Sequence, residues 1–160
     1  MKRVIVGIIL FLLISLLQFL FIDLLNIAGV FPDVFFILLI YLAFRLPPIH
    51  TIAAGFSIGL MNDLLFNVTL IGLAPLIKTG LAFFLTKLSE NEKLLNPIIT
   101  FSLLIALIWF NHGAYNWFYY IQFTDTEYSV FLHRTLPQTV YTSTLLFTLN
   151  YFIPAIPEEH

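Results

Sequence analysis

Runs of apolar residues alternate along this chain with short polar breaks. A helix rises about 1.5 Å per residue and the hydrocarbon core of a bilayer is about 30 Å thick, so a full crossing takes about 20 residues. The second of the six runs is short for such a crossing. The runs cover residues 4–22, 32–44, 51–66, 70–86, 94–120 and 139–153. The pattern predicts an all-α membrane protein with about six transmembrane helices in a single domain, residues 1–160.

The first run has a competing interpretation as a secretory signal peptide. The apolar region of a signal peptide is about 7–15 residues long and ends at a small-residue cleavage pattern. The run from Val4 to Ile22 is longer, and no A-x-A pattern follows it. We therefore expect an uncleaved membrane span after the basic start Met1–Arg3.

Prolines mark several predicted helix ends. Pro32 is favoured at the first helical position of the second span, because its missing N–H has no intrahelical partner there. Asp33 beside it suits the positive end of the helix dipole. Pro47 and Pro48 prevent this span from continuing, and Pro97 is expected to kink the fifth span.

Two polar stretches are predicted to connect spans. Lys87–Lys93 forms the longest charged loop, and Gln122–Gln138 forms the longest polar connection, in which Tyr128–Leu132 could lie flat on the membrane surface. Basic residues favour the cytoplasmic side of a membrane. With a cytoplasmic N-terminus, only Arg134 falls outside, and the basic residues that fall inside are Lys2, Arg3, Arg45, Lys87 and Lys93. Both termini are therefore predicted to be cytoplasmic.

Composition supports lipid as the solvent of this chain. Of its 160 residues, 60% are hydrophobic and 10% are charged, whereas a soluble domain has about 25% charged residues. The net charge of -2 provides no basic face for nucleic acid. The absence of cysteine from the sequence excludes a thiolate metal site, a cysteine nucleophile and a disulfide. Contacts with membrane lipids are expected instead.

The stretch from Ala53 to Phe84 is a hydrophobic hairpin that contains two ionisable residues, Asp63 and Lys78, on either side of a turn at Asn67. Burial of a charge in a membrane must be offset by a partner, so such residues suggest a functional site. One interpretation is that Asp63 and Lys78 form a buried ion pair that reports on the binding of a partner or a ligand. The alternative is a structural pair, or an interfacial Asp63 and a snorkelling Lys78 that never meet.

Gly55 and Gly59 form a G-x-x-x-G pair in the same hairpin, which lets two helix backbones approach closely. Packing within the chain and docking of a transmembrane helix from another protein are both open. At the end of the fifth span, His112 and Asn116 share a helix face, where a polar lining of the outer interface is favoured over a metal site. With no Ser-His-Asp pattern, H-E-x-x-H or phosphate loop, we expect neither catalysis nor a cofactor.

These motifs resemble a family. A basic start, Pro32-Asp33 opening a span, Gly55 and Gly59 followed by Asp63-Leu-Leu, and then Gly72 after a hydrophobic residue look like MreD, the rod shape-determining membrane protein of bacteria. The match covers nearly the whole chain in length and span layout. Its specific part is limited to residues 31–33 and 55–72. Asn67 departs from the glycine that the family often has at that position, although asparagine can adopt the same backbone conformation.

The resemblance implies a non-enzymatic, multi-pass scaffold of the bacterial inner (cytoplasmic) membrane. Such proteins are similar to a six-helix fold also found in the substrate-binding subunits of vitamin transporters. They bind MreC and, through it, act with the RodA glycosyltransferase, its penicillin-binding transpeptidase and the MreB cytoskeleton in positioning peptidoglycan synthesis. On this basis the expected partner-binding residues are Pro32, Asp33, Gly55, Gly59, Asp63, Gly72 and Lys78.

A second function from another class is the substrate-capture subunit of an energy-coupling vitamin transporter. It would use the polar cluster from Asn111 to Tyr120, together with the outer loops, as a ligand pocket. A dense set of outward polar residues converging on one ligand would favour it. The outer polar residues of this sequence are sparse.

Overall fold

The computed structural model of the chain describes residues 29–66, 71–91, 94–122 and 128–154. These ranges form α-helices and no β-strand. The helices are α1 (Val34–Ala43), α2 (Pro48–Phe66), α3 (Leu73–Glu90), α4 (Pro97–Asn116) and α5 (Tyr128–Phe152), and a π-helical turn (Trp117–Gln122) continues α4. The prediction of an all-α protein is confirmed for these residues. The predicted span at residues 4–22 and the turn at Asn67 lie outside them.

Helix α1 is the centre of the hydrophobic core. Its side chains are apolar on every face, which is typical of a helix enclosed by other helices. Phe35, Phe36, Leu39 and Ile40 have no exposed surface, and side chains from α2, α3, α4 and α5 complete the same core. The start of this helix therefore lies among the neighbouring helices, and Asp33, which directly precedes it, lies there too.

Helices α2 and α3 form an antiparallel hairpin. Gly55 lies against Lys78 and Ala82, whereas Gly59, one turn later, lies against Ala74 and Pro75, one turn earlier on α3. The two helices therefore run in opposite directions. The close approach is possible because neither glycine has a Cβ.

The remaining contacts give the directions of the other helices. Asn111, near the end of α4, bonds to Asp33 at the start of α1. The opposite end of α1 meets the end of α5, because the Tyr41 hydroxyl donates to the carbonyl of Ile153 at 2.7 Å. Lys78, in the first half of α3, also reaches Asp33. Successive helices from α1 to α5 thus alternate in direction.

Polar and apolar side chains are distributed in the reverse of the pattern expected in water. Large apolar side chains cover much of the outside, among them Ile49, Leu76, Leu94, Ile98, Val140 and Phe152. Among the described residues, the buried polar ones are Thr51, Asp63, Lys78, Thr86, Thr100, Asn111, His112, Asn116, Thr135, Thr139, Thr142 and Ser143. In the described residues, one helical segment, Pro97–Tyr119, is long and apolar enough to cross a membrane.

Several predicted boundaries are corrected by the structure. Asp33, not Pro32, directly precedes α1 as its N-cap residue. Pro48 begins α2 as a first-turn proline, three residues before the predicted start of that span. Pro97 likewise begins α4 and does not kink it, because Asn96 caps the helix and accepts a hydrogen bond from the amide of Ile98 at 3.0 Å.

The two predicted connections are partly helical. Helix α3 continues through Lys87 to Glu90, so the charged stretch there is its last turn. Helix α5 begins at Tyr128, and Pro137 lies inside it. The predicted polar connection Gln122–Gln138 therefore contains the first eleven residues of α5, and Tyr128–Leu132 belongs to that continuous helix.

Candidate functional site: a buried polar network among four helices

The carboxylate of Asp33 is the centre of a buried group of polar side chains. Its Oδ1 accepts a hydrogen bond from the amide of Phe36 at 2.8 Å and thereby caps α1. Its Oδ2 accepts from the ammonium of Lys78 and from the amide nitrogen of Asn111, the latter at 2.9 Å. One carboxylate thus joins α1, α3 and α4. We call Asp33, Lys78, Asn111, His112 and Thr142 the polar network.

Lys78 is an almost fully buried cation. Its side chain is 2% exposed, and that of Asp33 is 13% exposed. The ammonium also lies 5.5 Å from the centre of the Phe36 ring, within the range of a cation–π interaction. Because an unpaired charge is costly in an apolar surrounding, the position of Lys78 on α3 is tied to the presence of Asp33 on α1.

Helix α5 joins the network through Thr142. The backbone N–H of Asp33 donates to Thr142 Oγ1 at 3.1 Å, and His112 Nε2 lies 3.0 Å from the same oxygen. With Oγ1 accepting from Asp33, the hydroxyl proton is available to donate to Nε2. Asn111 and His112, consecutive on α4, therefore bond to different helices.

Asp63 makes a separate set of bonds at the same end of the helices. Its Oδ2 accepts from the amides of Gly72 at 2.7 Å and Ala74 at 3.3 Å, so it caps the start of α3. Gly72 has φ of +106°, a left-handed conformation that favours glycine. Within the described residues, Asp63 Oδ1 is buried and has no hydrogen-bond partner.

A second polar contact lies farther along α4. Asn116 donates to Thr135 Oγ1 at 3.1 Å and to Gln138 Oε1 at 2.8 Å. Both partners are on α5. The expectation that His112 and Asn116 share one face is consistent with this contact, because both residues bond to α5. They are buried, however, and do not line an outer surface.

The structure brings together most of the residues singled out in the sequence. Asp33 meets Lys78, and Asp63 meets Gly72. Neither alternative for Asp63 and Lys78 is observed: both side chains are buried, they share no hydrogen bond, and Lys78 pairs with Asp33. Pro32 is buried beside the network.

The glycine pair packs within the chain. A Cβ at Gly59 would lie 2.5 Å from the nitrogen of Pro75 and 2.7 Å from the carbonyl carbon of Ala74. A Cβ at Gly55 would lie 2.8 Å from the carbonyl oxygen of Lys78. Of the two interpretations of this motif, internal packing is therefore the one observed, and α3 occupies the face that was considered for a partner helix.

Sequence reasoning missed the roles of two members of the network. Asn111 is a hydrogen-bond partner of Asp33, and Thr142 links the network to α5. The sequence places Asn111 in the polar cluster of the alternative ligand pocket. Thr142 carried no signal, since a threonine in an apolar helix can bond to its own backbone, as Thr144 and Thr148 do.

The arrangement is suited to holding helices together. In the described residues, no three His, Cys, Asp or Glu side chains cluster as a metal site would require. The network side chains bond to one another and to backbone groups, which links α1, α3, α4 and α5. Comparison of the chain with protein-family models, curated proteins and solved structures finds no match.

Proposed function

We propose that this chain is a non-enzymatic scaffold in the bacterial inner membrane. It crosses the membrane about six times and resembles MreD. In this proposal it binds an MreC-like single-span protein and so helps to position peptidoglycan synthesis and maintain rod shape. RodA-type glycosyltransferase, penicillin-binding transpeptidase and the MreB cytoskeleton are indirect partners.

The observation that supports this proposal most is the reversed distribution of polarity. Apolar side chains such as Leu76 and Ile98 are exposed, while Asp63 and Lys78 are buried. Exposure of so much apolar surface would be unfavourable in water and is favourable in lipid. The alternating directions of α1 to α5 also agree with repeated crossing. Together with the charge bias of the loops, they favour the six-span layout with both termini in the cytoplasm.

A further support comes from the two stretches that carry the resemblance. Residues 31–33 and 55–72 are separate in sequence, yet both converge on α3. Asp33 bonds to Lys78, Gly59 packs on Pro75, and Asp63 caps the helix start beside Gly72. We infer that these motif residues shape the α2–α3 hairpin and its attachment to α1. A partner helix would then meet the lipid-facing surface that this hairpin presents.

The substrate-capture alternative receives less support. It would need free polar groups between Asn111 and Tyr120. Asn111, His112 and Asn116 instead bond to Asp33, Thr142 and residues of α5. A ligand at this place would have to break these bonds first.

Co-purification tests the proposal. The tagged full chain is extracted from its native membrane in a mild detergent, and the proteins and small molecules that accompany it are identified. A stoichiometric MreC-like single-span protein is the expected result. A bound vitamin, or an ATPase module that energises transport, would overturn the scaffold and favour the capture subunit.

A variant pair sharpens this experiment. Asp33→Asn removes the charge at the centre of the polar network, whereas Glu90→Gln removes a charge at the exposed end of α3. We expect Asp33→Asn to lower the yield of the partner relative to the scaffold and Glu90→Gln to leave it unchanged. Equal partner yields for both variants would argue against a role for the motif residues in partner binding.

A further inference from the structure

Two buried carboxylates lie close to a single buried ammonium. Asp33 and Asp63 both belong to the end of the helices where α1 and α3 begin, and Lys78 lies in the first half of α3. The ammonium bonds to Asp33. In this structure Asp63 is the carboxylate that makes no hydrogen bond to the ammonium.

Both groups have unused bonding capacity. A lysine ammonium has three N–H donors, and one of those of Lys78 goes to Asp33. In the described part of the chain, Asp63 Oδ1 is a buried acceptor that receives no hydrogen bond. A buried polar atom without a partner costs free energy and calls for an explanation.

The position of Asp63 is within reach of Lys78. Asp63 Oδ2 holds the amide of Ala74, and Ala74 lies four residues before Lys78, one helical turn away on the same face of α3. Helical side chains lean towards the N-terminus of their helix. A lysine at position 78 therefore leans towards the turn that Asp63 caps.

We propose that Lys78 is a two-position switch: its ammonium bonds to Asp33 in the present arrangement and to Asp63 Oδ1 in a second one. When the ammonium moves to Asp63, the Asp33 carboxylate still accepts hydrogen bonds from the backbone amide of Phe36 and the side chain of Asn111. The first position ties α3 to α1, and the second ties α3 to α2. The second position therefore removes the Lys78 link between α3 and α1, while Asp33 stays bonded to α1 and α4.

The switch concerns this chain alone and does not depend on the partner. Its structural test uses Asp33→Asn, which retains a good helix-capping residue at this position but removes the negative charge. The variant is reconstituted in a nanodisc and its structure is determined by cryo-electron microscopy with a bound antibody fragment. We expect the Lys78 ammonium within hydrogen-bond distance of Asp63 Oδ1. An ammonium that stays beside residue 33, or a variant that no longer folds because Asp63 cannot take the cation, would overturn the switch.

The control is Asp63→Asn, which leaves the Asp33 carboxylate as the partner of Lys78. Its ammonium should remain on Asp33, with the helices unchanged. Movement of Lys78 away from Asp33 in this control would contradict the proposal, since the change removes only the second position.

A double-mutant cycle provides an independent measurement. Lys78→Met and Asp63→Asn are combined in the wild-type background and again in the Asp33→Asn background, and the midpoint of thermal unfolding is recorded for each. We expect the two changes to be non-additive by several degrees in the Asp33→Asn background and closer to additive in the wild type. Additivity in both backgrounds would show that Lys78 never uses Asp63.

Discussion

Lys78 on α3 donates to the carboxylate of Asp33, 45 positions earlier in the chain, and both groups are buried among apolar helices. Removal of one member of a buried pair leaves the other charge uncompensated, which typically costs about 3–5 kcal/mol. We therefore expect Lys78→Met to lower the free energy of unfolding by about that amount. Unfolding by denaturing detergent, followed by tryptophan fluorescence, measures the change.

Lys87→Met is the matched control for this lysine. Lys87 lies on the same helix, and its ion pair with Glu90 is exposed to about half on both sides. Exposed pairs contribute about 0–1 kcal/mol, so this variant should unfold nearly as the wild type does. Equal losses for Lys78→Met and Lys87→Met would mean that the Asp33 pair is not important for stability.

The partner of Lys78 illustrates what sequence reasoning could and could not predict. Hydrophobic runs predicted the five described helices, because each run is bounded by polar residues or proline. The same runs hold no information on which helices are neighbours. Asp63 lies on the facing arm of the same hairpin as Lys78, but Asp33 is the carboxylate that bonds to Lys78, since α1 packs centrally against α3.

Helix ends were predicted less well for a different reason. Lys87 to Glu90 continues α3 because these residues are compatible with a helix and need not be apolar once the helix leaves the core. Pro137 lies within α5, although proline usually ends a helix. Hydrophobicity marks the part of a helix that is buried in protein or lipid, not its full length.

Gly59 and Gly80 offer a matched pair of glycine substitutions. A Cβ at Gly59 would collide with the backbone of Ala74 and Pro75, whereas a Cβ at Gly80 meets nothing within 4 Å. Gly59→Ala should force α2 away from α3 and destabilise the protein by about 1–3 kcal/mol. Gly80→Ala should instead stabilise it by up to about 1 kcal/mol, because alanine favours a helix. The same unfolding assay compares them, and a loss of stability at Gly80 equal to that at Gly59 would contradict the close helix approach.

Substitutions of Thr142 and Thr144 compare a hydroxyl in the polar network with a hydroxyl outside it. Thr142 Oγ1 bonds to both the Asp33 amide and His112, and valine at this position would leave both groups unpaired. Thr142→Val should cost about 1–3 kcal/mol. The Thr144 hydroxyl is exposed and bonds only to the carbonyl of Val140 in its own helix, so Thr144→Val should change stability by less than about 0.5 kcal/mol. If Thr144→Val were the more damaging change, the polar network would not be the link between α1 and α5.

The proposed membrane layout makes a prediction about sidedness. Helix α5 runs in the same direction as α1, because Thr142 contacts Asp33 at the start of α1 and Ile153, which follows α5, contacts Tyr41 near the end of α1. Helix α3 also runs in this direction, since Lys78 in its first half contacts Asp33. His133 near the start of α5 and Glu90 at the end of α3 are both exposed and should lie on opposite sides of the membrane. Since the sequence has no cysteine, His133→Cys and Glu90→Cys each introduce a unique label site. We expect a membrane-impermeant maleimide to label His133→Cys in intact cells and Glu90→Cys only after the cytoplasmic side is opened. Labelling of both from outside would contradict the multi-pass layout, and the reverse assignment would place both termini outside the cytoplasm.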